Sequence, residues 1–376
     1  VTMLSVLITI PVTVILVVPL DLGAEGLLAG SYGTGLAIVL GLIFYNRRRL
    51  ALAPDRPLLK RMMAFGLPTM PAELSLYSLS FIDRILIARK LGLAEAGLYS
   101  IAIKMSQGIA VLVRGFQLAF PPLAYSIQDD DEARLAYSAV VTWFVTVMAF
   151  VVSFLWLIAP WIVGLLAAPE FSEAAEVVGP VSAGAALYAL YMVLLVVLGR
   201  TGRTEYNLPA TIAGLVVNVG LNLLLLPLWG IIGAGVALVV SYLVVVVLMY
   251  LFTQRLFPVP YEWLRLVRVL LATAALVAIG EVFVPDDGLA WLAVRLLLVL
   301  ALPFALLLTG FFTAEERGWL LLLTKPGELK AKILAAREVG KAAGEEGEGT
   351  SASGRPGSRG LPEAVEVEQW DEDLRS

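Results

Sequence analysis

The sequence predicts an all-α polytopic membrane protein of about ten transmembrane helices, and three observations carry that prediction. About ten runs of roughly twenty apolar residues follow one another with little between them. Hydrophobic residues make up 59% of the 376-residue chain and charged residues 15%, with a mean hydropathy of +0.87. That composition leaves too little polar surface to cover a water-soluble core, so the chain needs lipid as its solvent. Finally, two successive runs contain Glu73, Asp83, Arg84, Lys104 and Arg114. A charge in hydrocarbon costs several kcal/mol, so intramembrane ions generally face a protein-lined cavity.

Apolar runs and their breakers place the spans at 3–20, 25–45, 61–82, 96–120, 136–164, 174–198, 206–226, 231–252, 266–284 and 289–312. The first has no preceding Lys or Arg and no small-residue cleavage pattern, and reads as a retained span rather than a signal peptide. Alternate connections differ in charge. One set holds Arg47, Arg48, Arg49, Arg56, Lys60, Arg134, Arg200, Arg203, Arg255 and Arg265, and the other holds little beyond Arg89 and Lys90. The positive-inside rule makes the first set cytoplasmic, which puts both termini inside. The external connections, Asp21 to Glu25, Arg89 to Glu95, Pro169 to Ala174, Pro227 to Gly230 and Pro285 to Gly288, are too short to fold as a domain.

After Thr313 the composition changes. Residues 328–342 have the pattern of a short amphipathic helix on the cytoplasmic face, and 343–360 are rich in Gly, Ser and Glu and read as disordered. The acidic last segment is a solvated tail or a docking element. With no Cys and no His, the chain lacks thiolate and imidazole metal ligands, the cysteine nucleophile and the commonest general base. No metal or cofactor is expected, and most enzyme chemistries are disfavoured.

The spans near 61–82 and 96–120 carry polar stripes. Thr69, Glu73, Tyr77, Ser80 and Arg84 recur at helical spacing and fall within about 40° of one face. Pro68 and Pro71 near the cytoplasmic start can bend this helix and free carbonyls. Glu73 is either a hydrated functional carboxylate or the quiet partner of Arg84, and Asp83 and Arg84 either line a cavity or mark the outer interface. On the next span Ser100, Lys104, Gln107, Val111 and Arg114 share a face, with Lys104 and Arg114 about 15 Å apart along the axis. Lys104 is expected to face the interior, so that Lys104→Ala should abolish transport. A cationic wall suits an anionic passenger such as a pyrophosphate, with an internal salt bridge to Glu73 or Asp83 as the alternative. Asn207, Thr211, Gly214, Asn218 and Asn222 form another row, whose amides bind sugar hydroxyls or, more readily, glue helices together. Gly230, Gly233 and Gly235 at the start of the following span read as packing glycines.

The stretch Phe65 to Leu123, FGLPTMPAELSLYSLSFIDRILIARKLGLAEAGLYSIAIKMSQGIAVLVRGFQLAFPPL, resembles two successive spans of the polysaccharide-biosynthesis flippases of the multidrug/oligosaccharidyl-lipid/polysaccharide exporter superfamily. Leu165 to Val178 and Val217 to Leu243 share the likeness. The resemblance implies two six-helix lobes around a cavity, flipping undecaprenyl-pyrophosphate-linked oligosaccharides outward by alternating access. On that pattern 1–46 are the last two helices of the first lobe and 47–60 a cytoplasmic basic linker. Residues 61–252 are the second lobe, 253–312 two additional helices and 313–376 a largely disordered cytoplasmic tail. On that pattern the chain is expected to begin at the fifth span of the family, an incomplete reading frame being the favoured account and a genuinely short form, either decayed or assembling with another chain, the alternative.

The resemblance places Asp83, Arg84 and Lys104 in the cavity, and the helix-face argument adds Glu73 and Arg114. The candidate substrate-binding residues are therefore Lys104, Arg114, Gln107, Arg84, Tyr77 and Asn218, with Glu73 and Asp83 as coupling-ion candidates for a proton or sodium ion. Expected partners are a lipid-linked oligosaccharide, membrane lipids and glycan-assembly machinery, not nucleic acid, in the cytoplasmic (inner) membrane. A drug antiporter of the same superfamily, a membrane-embedded glycan-assembly enzyme and a non-transporting scaffold are the competing readings.

Overall fold

The computed structural model describes residues 2–47, 56–313 and 316, without the side chains of 2–4, 24, 61, 62, 64–66, 68, 69 and 80. The helix expected at 328–342 and the acidic tail lie outside the described residues, as do the side chains of Thr69 and Ser80. Every regular element among the described residues is helical. Seven of these helical segments are long and apolar enough to cross a membrane, and the chain is a multi-pass membrane protein.

The first group is α1 (Thr2–Val17), α2 (Gly23–Leu28) and α3 (Thr34–Asn46), with α2 and α3 joined by one π-helical turn, Ala29–Gly33. These helices pack chiefly on one another. They are largely apolar, as lipid-facing helices are, and the Thr9 and Thr34 hydroxyls pair at 3.0 Å. Next comes α4 (Arg56–Lys90), 35 residues and so about 52 Å long. It exceeds the predicted 61–82 at both ends, because an apolar run records only the hydrocarbon part of a helix whose charged ends continue into the headgroups. It passes unbroken through Pro68 and Pro71, and the Pro71 carbonyl accepts the Ser75 hydroxyl at 2.8 Å.

The single span expected at 96–120 is instead α5 (Leu93–Ser106) and α6 (Gly108–Ser126), which meet at Gln107. There the ladder tightens to three-residue bonds, Gln107 N–H to the Lys104 carbonyl at 3.2 Å and Ala110 N–H to the Gln107 carbonyl at 2.9 Å. Gly108 has low helix propensity, and the Ser106 hydroxyl bonds back to the Ala102 carbonyl and across to the Val178 carbonyl. α7 (Asp130–Leu166) begins on an Asp129 cap that accepts the Glu132 N–H at 2.8 Å, and α8 (Ala175–Arg200) follows a short 3₁₀ turn.

The long α9 (Asn207–Leu256) contains two of the predicted spans, at 206–226 and 231–252. Gly230 breaks it with φ 58° and ψ −141°, a conformation essentially closed to residues with a Cβ. A Cβ on Gly233 would lie 2.6 Å from the Leu225 carbonyl oxygen, although eight residues of straight helix would hold them about 12 Å apart. The chain therefore doubles back at Gly230. Lower down, a Cβ on Gly214 would collide with Val245, so the two arms pack backbone to backbone. α10 (Trp263–Phe283) and α11 (Leu289–Leu308) pack on each other and on α7. Arg295 fastens this hairpin, donating to the Leu157 carbonyl of α7 at 3.0 Å and the Val284 carbonyl at 2.8 Å, and pairing with Glu281 at 3.3 Å.

The main core lies among α4 to α9, with α8 and α9 at its centre. Hydroxyls in this core are satisfied by carbonyls a turn earlier, as at Thr142, Ser153 and Ser241. Without water in the hydrocarbon that back-bonding is the cheapest available partner.

Candidate functional site

A cavity of about 490 Å³ opens between α4, α5, α6, α8 and α9. α4 contributes Glu73, Tyr77, Asp83 and Arg84, since positions four and seven apart recur on one face. Gln107 enters at the α5–α6 joint, and Arg114 and Gln117 follow on α6. Tyr188 of α8 and Tyr242 of α9 close the far wall.

Asp83 is 1% exposed and receives two hydrogen bonds, one to each carboxylate oxygen. The Asn222 amide donates to Oδ1 at 2.7 Å and the Tyr99 hydroxyl to Oδ2 at 3.1 Å. Asn222 also donates to the Asn218 carbonyl at 2.9 Å. The Asn218 amide nitrogen faces the carboxyl group, and the buried side-chain oxygens of Asn218 and Asn222 have no partner. Such orphaned polar atoms each cost about 1–3 kcal/mol, so the cluster is incompletely satisfied by protein alone. Among the described residues, no ion pair within 4.0 Å joins Glu73, Asp83, Arg84, Lys104 and Arg114 to one another. Arg84 lies near the ring of Phe81, 5.7 Å from its centroid. Arg84 and Glu73 are 11 positions apart, about 16 Å along α4, so the cavity is elongated and carries both signs of charge.

Of the residues singled out in the sequence, Tyr77, Arg84, Gln107, Arg114, Glu73 and Asp83 share this one chamber. Lys104 does not line it. It is exposed elsewhere on α5, because the joint at Gln107 breaks the straight helix on which Lys104 and Arg114 were expected to share a wall. Asn218 also stays outside the lining, at 0% exposure, one shell behind Asp83. Tyr99, Tyr188 and Tyr242 were not anticipated, and Asn222, read as helix glue or a sugar ligand, instead donates to Asp83. The available signal was tyrosine in the middle of apolar spans, since membrane tyrosines otherwise concentrate at the interfaces. No cluster of three or more His, Cys, Asp or Glu able to hold a metal occurs among the described residues.

Comparison with known proteins agrees with this architecture. Residues 1–176 match the family model described as polysaccharide biosynthesis protein. A solved structure, the lipid II flippase MurJ in its inward closed conformation, superposes with a TM-score of 0.55 at 12% identity, over 76% of this chain and 60% of that one. At that identity the likeness is one of fold, and the chain spans about 60% of the MurJ chain. No curated protein matches. The family match supports the resemblance to polysaccharide-biosynthesis proteins read from the sequence, and the structural match supports the fold it implies.

Proposed function

We propose that the chain serves as a transporter, not an enzyme, flipping undecaprenyl-pyrophosphate-linked oligosaccharides across the cytoplasmic membrane by alternating access. One observation carries the reading: Arg84 and Arg114 line the same intramembrane chamber of a flippase-like fold, with no carboxylate within 4.0 Å of either among the described residues. Guanidinium groups without a carboxylate partner inside a membrane chamber are suited to pyrophosphate oxygens, which they can engage bidentately. The lipid tail would remain in the bilayer. Both termini are assigned to the cytoplasm from the Lys and Arg bias of the connections.

Of the two coupling-ion candidates, Asp83 is favoured over Glu73. It is buried and adjoins unpartnered oxygens of Asn218 and Asn222, whereas Glu73 is exposed to the cavity. A drug antiporter would use Glu73 as the acidic contact for an organic cation, but the two arginines in the same chamber oppose that passenger.

The test is equilibrium binding of undecaprenyl pyrophosphate to the protein in lipid nanodiscs, together with glycan display by cells expressing the variants. Arg84→Gln with Arg114→Gln should weaken binding at least about tenfold, the loss expected for one charge-assisted contact. Lys104→Ala should now bind like wild type, in contrast to the expectation from sequence. Unchanged binding by the double variant would remove the pyrophosphate from this chamber.

A further inference from the structure

Between its two arginines the chamber changes character. Glu73 and Tyr77 stand one turn apart on α4, within electrostatic reach of the Tyr188 hydroxyl on α8. Tyr188 is backed by two other rings, Tyr242 with centroids 5.5 Å apart and Tyr191 at 6.0 Å. Tyr191 is itself anchored by donating to the Asn207 side-chain oxygen at 2.9 Å. The backing rings restrict the Tyr188 ring before any ligand arrives. Tyr77, in contrast, is 65% exposed. It lies 13 positions from the outer end of α4, about 20 Å into the helix, too deep to be an interfacial anchor.

Two aromatic rings beside a carboxylate select among possible ligands. A pyrophosphate has no apolar face and is repelled by Glu73. A hydrocarbon tail suits the rings but strands the carboxylate. An organic cation suits both, but shares its chamber with Arg84 and Arg114. A pyranose satisfies the whole set. Its C–H face lies against the negative face of an aromatic ring, and its hydroxyls donate to a carboxylate or exchange bonds with an amide such as that of Gln107.

We infer that Tyr77, Tyr188 and Glu73 form a saccharide subsite that holds the pyranose ring nearest the pyrophosphate. The inference rests on the lipid-linked saccharide reading above and assigns the sugar and the phosphates to different parts of one chamber. Passenger choice is then set by the α4–α8 wall, while the arginines act on every pyrophosphate-linked lipid alike.

Binding measurements on the protein in nanodiscs test this, with undecaprenyl pyrophosphate bare and bearing a single glucosyl, galactosyl or N-acetylglucosaminyl group. At least one sugar-bearing form should bind about three- to tenfold more tightly than the bare lipid, the range for one aromatic contact. Tyr188→Leu and Tyr77→Leu should each remove that advantage, so that sugar-bearing and bare lipid bind the variant alike, whereas Tyr188→Phe, which keeps the ring, should retain it. The Tyr77 ring is largely exposed, so its variant reports even where a Tyr188 variant misfolds. The inference is overturned if no sugar-bearing form exceeds the bare lipid, or if the advantage survives in Tyr77→Leu. It is also overturned if tetraphenylphosphonium binds in a Glu73-dependent manner while the sugars confer nothing. Loss of the pyrophosphate reading is a separate result, seen as bare-lipid binding that ignores Arg84→Gln and Arg114→Gln.

Discussion

Asp83 and Arg295 are both withdrawn from solvent, at 1% and 3% exposure, and they are held in opposite ways. Both terminal nitrogens of Arg295 are occupied, by two backbone carbonyls and Glu281, and the residue fastens α11 to α7 away from the chamber. Asp83 has two donors of its own but stands on the chamber wall beside amide atoms with no partner. A buried ion whose terminal donors are all taken up by carbonyls and a carboxylate acts as a fastening. One bordered by unsatisfied oxygens still has capacity for a proton, a water or a cation.

The largest effect should come from breaking the fastening. Arg295→Ala strands two carbonyls and Glu281, and should lower stability by about 3–5 kcal/mol, read as a large fall in the melting temperature of detergent-solubilised protein. Melting like wild type would show that Arg295 is not the fastening described. Asp83→Asn should give the complementary result, transport lost with melting shifted by only about 1 kcal/mol, because an amide keeps much of the hydrogen bonding. If Asp83→Asn melts as badly as Arg295→Ala, the contrast between the two sites fails.

The smallest effect belongs to an ion pair at the start of α10, whose carboxylate, Glu316, lies outside the membrane. Glu316 accepts the Thr313 N–H at 2.8 Å and pairs with Arg265 at 2.8 Å. Partial burial alone would raise its carboxyl, but the Thr313 N–H and Arg265 outweigh burial and hold it below the usual glutamate range. A carboxyl lowered on folding stabilises above its unfolded value and loses that contribution as pH falls through its folded value. Glu316→Gln should therefore cost about 0.5–1 kcal/mol at neutral pH and nothing at a pH below the folded value. Equal loss at both pH values would refute the electrostatic account.

The class of the fold was plain in the sequence because apolar runs of bilayer length leave few alternatives. Helix ends were not, since charged residues such as Arg89 and Lys90 remain helical outside the hydrocarbon that the runs record. The α4 stripe was legible because Glu73, Tyr77 and Arg84 lie on one uninterrupted helix. The neighbouring stripe failed at Lys104, where face arithmetic assumed a straight ladder and Gln107 interrupts it. Asn218 and Asn222 were read as glue or sugar ligands, and both lie at 0% exposure beside Asp83. Only packing brings α4 and α9 together, and a single sequence does not display such a contact. Tyr188 and Tyr242 escaped notice because a ring within an apolar run looks like core until a chamber is found beside it.

The joint at Gln107 divides one wall of the chamber into two mechanical pieces. Tyr99 and Ser106 belong to the upper piece, tied to Asp83 and to Val178, while Arg114 and Gln117 belong to the lower. Flexing at a point where the ladder is already rerouted disturbs fewer bonds than shearing two packed helices past each other. The chamber's girth is thus governed more by the stiffness of a single elbow than by the adhesion between its staves.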